Sequence, residues 1–157
     1  MNSQLLNDGM RLPDGVRWRE FDVARIDEIA ETWRDEDQKR QIRNQTMLGP
    51  AVMLEVDGRI LAGIGIVIYN PGVGEAWTLI DLARRYDHPL LLTRAVKKAL
   101  YIGEQSHRLH RVQMTVHSEH IVAVRWAWAL GFKIEGLMLK YGSDQSDHYL
   151  LARYSNG

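Results

Sequence analysis

The chain has 157 residues with 45% hydrophobic and 25% charged side chains, the proportions of one ordinary globular domain rather than a disordered chain or a coiled coil. Twenty basic residues balance twenty acidic ones, so no global field draws nucleic acid or an anionic membrane, and no partner of either kind is expected. Cysteine is absent, which removes disulfides, thiolate metal ligands and a thiol nucleophile and fits a reducing, cytoplasmic setting.

No apolar run approaches the roughly 20 residues that span a bilayer. The first stretch, MNSQLLNDGMRLPDG, lacks a basic segment followed by an apolar one, so it does not read as a secretory signal. Residues 1–15 carry Gly9, Pro13 and Gly15 with little periodicity and read as a flexible leader. Residues 16–157 read as a single domain.

Residues 16–21 form a short strand candidate, and Asp22 can cap a helix starting at Val23. Val23, Ile26, Ile29, Ala30 and Trp33 fall on one face at helical spacing. Residues 34–44 are almost wholly polar and read as a solvated helix or loop. From Ala51 the period changes to two. Residues 51–56 are a strand, and Asp57-Gly58 predicts a type I′ hairpin, which needs positive φ at both positions. Residues 60–69 are apolar on both faces, the mark of a central strand. Gly63 and Gly65 on it admit either close packing or approach of a ligand. Asn70-Pro71-Gly72 turns the chain into a strand over 75–81.

Pro89 opens an amphipathic helix with Leu92, Ala95, Val96, Ala99, Leu100 and Gly103 inward. Residues 111–117 alternate cleanly. Ser118 can cap a helix over 119–130 that ends at Gly131. Trp126 and Trp128 point about 200° apart on it, so at most one is fully buried. Residues 132–141 and 148–154 are the last strands. The step from 75–81 to 111–117 needs a parallel crossover. The expected architecture is α/β (α+β): a mixed, mostly antiparallel sheet of six or seven strands with helices on both faces.

The C-terminal half resembles the GNAT-superfamily N-acetyltransferases, in particular the branch that acetylates protein N-termini. The residues that carry the likeness are Arg111-Val112, Ala123, Arg125, Leu130-Gly131-Phe132, Glu135-Gly136 and Asp147 with Tyr149. The element order extends it over residues 16–154. The resemblance implies a GNAT-like fold and an enzyme that moves acetyl from acetyl-CoA to a primary amine of a protein or small molecule. It also implies a splay between the fourth and fifth strands, where Leu79, Ile80 and Asp81 offer backbone to the pantetheine arm. After the fourth strand such chains have a glycine loop that cradles the pyrophosphate.

Here that segment reads LARRYDHPLLL from Leu82 to Leu92 and contains no glycine. Arg84, Arg85, His88 and the N–H groups of Leu90, Leu91 and Leu92 are the substitutes, so acetyl-CoA is expected to bind weakly. His120 stands where the family usually has Asn, and Ala127 where many members have a Tyr acid. A second reading comes from viral, in particular phage-borne, chains of this likeness with degenerate loops. It is a catalytically degenerate module that binds a host or virion partner.

Transfer to an amine needs a base. Glu75 on the fourth strand is one candidate; an edge charge facing water is its plainer reading. Asp81 lies near the splay and can equally cap a turn or pair with Arg84 or Arg85. His117 and His120 fall at the splay and are either bases or hydrogen-bonded histidines at a strand end. No histidine spacing matches a metal motif, and no metal is expected. Trp128, Leu137 and Leu139 are too many large apolar groups for a small domain to bury, which points to a homodimer.

Overall fold

The computed structural model describes residues 1–32, 36–81, 83–84 and 87–155. Alternation of apolar residues produces seven strands: β1 (Val16–Glu20), β2 (Ala51–Val56), β3 (Arg59–Asn70), β4 (Val73–Ile80), β5 (Arg111–His117), β6 (Lys133–Met138) and β7 (His148–Tyr154). They form one sheet in the order β1-β2-β3-β4-β5-β7-β6. Every pairing is antiparallel except β4 with β5. The α-helices are α1 (Ser3–Asp8), α2 (Glu36–Met47), α3 (Pro89–Ser106) and α4 (Ile121–Ala129). This is the expected mixed α/β architecture.

The sheet carries a layer on each face. On one side α1, α3 and α4 close a core that includes Leu6, Trp18, Ile64, Ile66, Leu100, Val112 and Leu130. On the other, Ile26, Ile29 and Ile42 pack on Met53, Ile60, Val67 and Trp77. At Asp57-Gly58 the backbone has φ of 51° and 80°, the positive values a type I′ hairpin requires.

Three local readings are corrected. Residues 1–15 are not a loose leader. Leu6 is 0% exposed in the core, and Asn2 caps α1 by accepting from the N–H groups of Gln4 and Leu5. The Asn7 amide exchanges two hydrogen bonds with the backbone of Trp18, at 2.8 and 3.1 Å. The segment after Asp22 is a 3₁₀ helix (Val23–Thr32), broken at Ile29. Val23, Ile26 and Ile29 recur every three residues, which suits three residues per turn as well as it suits 3.6. Arg25 ties this segment to Glu55 at 2.6 Å. Trp33 lies outside the described residues. The polar stretch resolves into helix α2. Finally, α4 begins at Ile121 with His120 at its N-cap, while Ser118 donates its N–H to the Asp147 carbonyl.

Gly65 pairs with Trp77 across β3 and β4. A Cβ at Gly65 would lie 2.3 Å from the indole, so the glycine makes room for the ring. Gly65→Ala is expected to cost about 1–3 kcal/mol by overpacking, read from urea unfolding midpoints.

Two motif residues turn out to be one ion pair. The Arg111 guanidinium meets the Glu135 carboxylate at 3.0 Å, and the Tyr154 hydroxyl also donates to Glu135. The contact fastens β5, β7 and β6 together at one end. Arg111 first, and then Tyr154, hold the Glu135 carboxyl at about 2, below its ordinary 4.5. A depressed carboxyl stabilises the fold above its unfolded value and loses that contribution as pH falls through the folded one. Stability is therefore expected to drop between pH 4.5 and about 2, and to drop less over that window in Glu135→Gln, as read by urea midpoints.

Candidate active site

The parallel pairing of β4 with β5 covers only Val73–Arg111, Gly74–Val112 and Glu75–Gln113. Beyond it β4 stays with β3 as far as Ile80, and β5 stays with β7 as far as His117. The two strands part and the sheet opens between them.

Parity then decides which backbone groups line the opening, because successive residues of a strand aim their N–H and C=O at opposite neighbours. Ile66 and Ile68 donate to the carbonyls of Pro50 and Leu48 on the β2 side. Gly63, Gly65 and Val67 therefore face β4, and their partners Leu79, Trp77 and Glu75 face back. Asp81 agrees, since its N–H donates to the Leu61 carbonyl at 2.9 Å. The free edge belongs to Thr78 and Ile80, because by the same parity the Ala76 N–H is the last one spent on β5, on the Gln113 carbonyl. Of the three residues expected to offer backbone to a ligand, Ile80 does, and Leu79 and Asp81 do not.

The opening is a cleft of about 950 Å³ that reaches both faces of the sheet. On the α3/α4 side it is apolar, with Met114, Val116, Trp126 and Ala127 among its lining. The Trp126 indole N–H donates to Thr93 Oγ at 3.1 Å and ties α4 to α3. On the α2 side it is polar. Glu75 and His117 lie on that face, joined by Tyr141, Asp144, Ser146 and His148 from the β6–β7 connection. Burial and then the neighbouring Glu75 carboxylate push the Tyr69 phenol up.

His117 accepts the Glu119 N–H at Nδ1, 3.2 Å away. A neutral imidazole that accepts at one nitrogen carries its proton on the other. His117 is thus held as an Nε2–H donor and, in this arrangement, is not a base. His120 lines the cleft and starts α4 through its carbonyl, which accepts from Val124 at 3.1 Å; its side chain makes no cap bond.

His148 was not singled out by the sequence, because it lies far along the chain from the five histidines between 88 and 120. The β5–β7 register brings it opposite His117, with ring centroids 5.4 Å apart. Only the strand pairing carries that signal.

The residues expected at the far end of a cofactor are dispersed. Arg84 Nη2 lies 3.4 Å from the Val56 carbonyl, directed at the β2–β3 turn. Asp81 is a buried turn former whose Oδ1 accepts from Ala83 N–H at 3.1 Å. Arg85 lies outside the described residues. His88 is the N-cap of α3 and makes no side-chain cap bond, and its carbonyl accepts from Leu92 at 2.9 Å. Pro89 has no N–H. The helix start thus keeps the amides of Leu90 and Leu91 for an anion, and the expected contribution of Leu92 is corrected.

No family model and no curated protein matches the sequence. Solved structures do match the fold. Ard1 from Thermoplasma volcanium is 18% identical with a TM-score of 0.75, covering 91% of this chain and 99% of that one. Ribosomal-protein-S5-alanine acetyltransferase from Vibrio fischeri is 15% identical with a TM-score of 0.71, covering 93% and 96%. RimL, a ribosomal L7/L12 alpha-N-protein acetyltransferase solved with coenzyme A, is 10% identical with a TM-score of 0.73, covering 92% and 96%. The chain has the fold of the GNAT acetyltransferases.

Proposed function

We propose that the protein transfers acetyl from acetyl-CoA to a primary amine of a protein or small molecule. The observation that carries this reading is the cleft through the sheet. One wall is a strand edge with unpaired amides, and the α2 side holds ionisable groups. The edge of Thr78 and Ile80 suits an amide-bearing arm, which can add to it as an extra strand. Bound acetyl-CoA supplies an activated thioester. The fit is good along this edge and poorer at the pyrophosphate, where Leu90 and Leu91 amides replace a glycine loop. Losing one or two hydrogen bonds to a charged acceptor, at roughly 1.5–3 kcal/mol each, weakens binding by one to several powers of ten.

On the α2 side the Glu75 carboxylate attracts an ammonium group into the cleft. Ala127 leaves no hydroxyl on α4 to protonate a leaving thiolate, so the chain's contribution is concentrated on orienting the amine and removing its proton. The exposed Trp128, Leu137 and Leu139, at 53%, 50% and 71%, support pairing of two copies.

The glycine-free loop favours a second reading, a partner-binding module without catalysis. Calorimetry with acetyl-CoA separates the two. The enzyme reading expects weak but saturable binding and acetyl transfer to amines, reduced in Glu75→Gln. Absence of binding at millimolar acetyl-CoA would establish the module instead.

A further inference from the structure

On the α2 side of the cleft Glu75 is partly buried, and among the described residues no cation pairs with its carboxylate. Arg111 lies on the same face of the sheet but is spent on Gln113 and Glu135, at 3.2 and 3.0 Å. A charge drawn part of the way out of water calls for a partner. What surrounds this one is aromatic.

β3 supplies the first ring. Ile68 pairs with Gly74 and Asn70 with Val73, so Tyr69 is an extra residue without a partner on β4. Such a bulge re-aims its side chain. Val67, two residues earlier, packs on the α2 side and stands opposite Glu75, while Ile68 packs on the other side. Tyr69 therefore lies on the α2 side beside Glu75, and its hydroxyl donates to that carboxylate. The β6–β7 connection supplies the second ring. Lys140 takes a φ of 54° and donates its N–H to Asp147 Oδ1 at 2.8 Å. The Gly142 N–H donates to the Ser146 carbonyl at 2.9 Å. These two bonds fix the backbone on either side of Tyr141, which lines the cleft within electrostatic reach of Tyr69. Both rings are open to a ligand. Tyr69 is 58% and Tyr141 52% exposed, and no cation of the described residues lies over either ring.

We propose that Glu75, Tyr69 and Tyr141 form the pocket that receives the acceptor as a primary ammonium, with Tyr69 as the residue that positions the carboxylate. The inference rests on the acetyl-transfer reading and names the residues that select its acceptor. An ammonium brings a positive charge and three N–H donors, and an ionised carboxylate offers acceptors only. The Tyr69 hydroxyl holds Glu75 by one lone pair and leaves the others for the ammonium. The faces of the two phenol rings are negative and attract a cation from their open sides. A neutral group of the same size gains neither attraction, so the pocket discriminates by charge.

NMR titration of the whole chain with propylammonium, without any acyl-CoA, tests the pocket with no need for activity; 1-propanol is the neutral isostere. Propylammonium is expected to shift the Tyr69 and Tyr141 ring resonances saturably, and 1-propanol to leave them in place. Equal shifts from both compounds, or none from propylammonium, would overturn the proposal. Tyr69→Phe keeps the ring and removes the hydroxyl. It is expected to weaken propylammonium binding about three- to tenfold and to raise KM for the amine by a similar factor, at unchanged acetyl-CoA affinity and unfolding midpoint. An unchanged propylammonium affinity would overturn the positioning role. So would a loss shared equally by the amine and acetyl-CoA, which is what a merely structural role would give. Ammonium binding in a chain that transfers no acetyl to any amine would sink the acetyl-transfer reading and keep the pocket. Acetyl transfer with both ring signals unmoved by the ammonium would sink the pocket and keep the reading.

Discussion

Three residue pairs hold β4 and β5 together before the strands part, and what can happen at this sheet depends on that short contact. If the pairing ran on, Thr78 and Ile80 would spend their amides on β5 and the cleft would be closed. Each strand can leave because it has a partner on its other side. β4 keeps a long antiparallel ladder with β3 and β5 a full one with β7. An opening in the middle of a sheet normally strands backbone groups without partners. Here it leaves them on two facing strand edges, bordering a space that a ligand can fill.

The same parting joins two chemical environments. The α3/α4 side is apolar and the α2 side carries the carboxylates and imidazoles. A ligand with one apolar and one polar end would find both environments in a cleft that passes through the sheet. The hydrogen bond from Glu119 to His117 and the series from Asp144 through Ser146 to His148 hold two neighbouring imidazoles on that side.

Much of the fold was legible because its signals are local. Asp57-Gly58 needed only a turn rule, and the strands needed only alternation. The first fifteen residues were misread because their ties to the sheet, Leu6 in the core with Met1, Met10 and Leu12 packed against it and the Asn7 amide on Trp18, follow no regular period. The 3₁₀ segment was misread because Val23, Ile26 and Ile29 satisfy two helical periods at once. In the site, Glu75, His117 and His120 could be placed by strand ends. The choice of Ile80 over Leu79 and Asp81 could not, since it depends on register, and a one-residue slip reverses every amide. His148 is invisible to any local rule, because only β-pairing sets it beside His117.

The N-terminal segment has a further effect. β1 is an edge of the sheet, and its outward-facing backbone is already engaged: Val16 donates to the Pro13 carbonyl, and Trp18 is bonded both ways by Asn7. An open edge is a template for pairing with other chains. Here the polypeptide terminates its own sheet at that side, in the manner of a selvedge. Growth by strand addition is blocked at β1, so that border of the seven-stranded sheet is finished. Removing the first nine residues would unpick that border without touching the cleft.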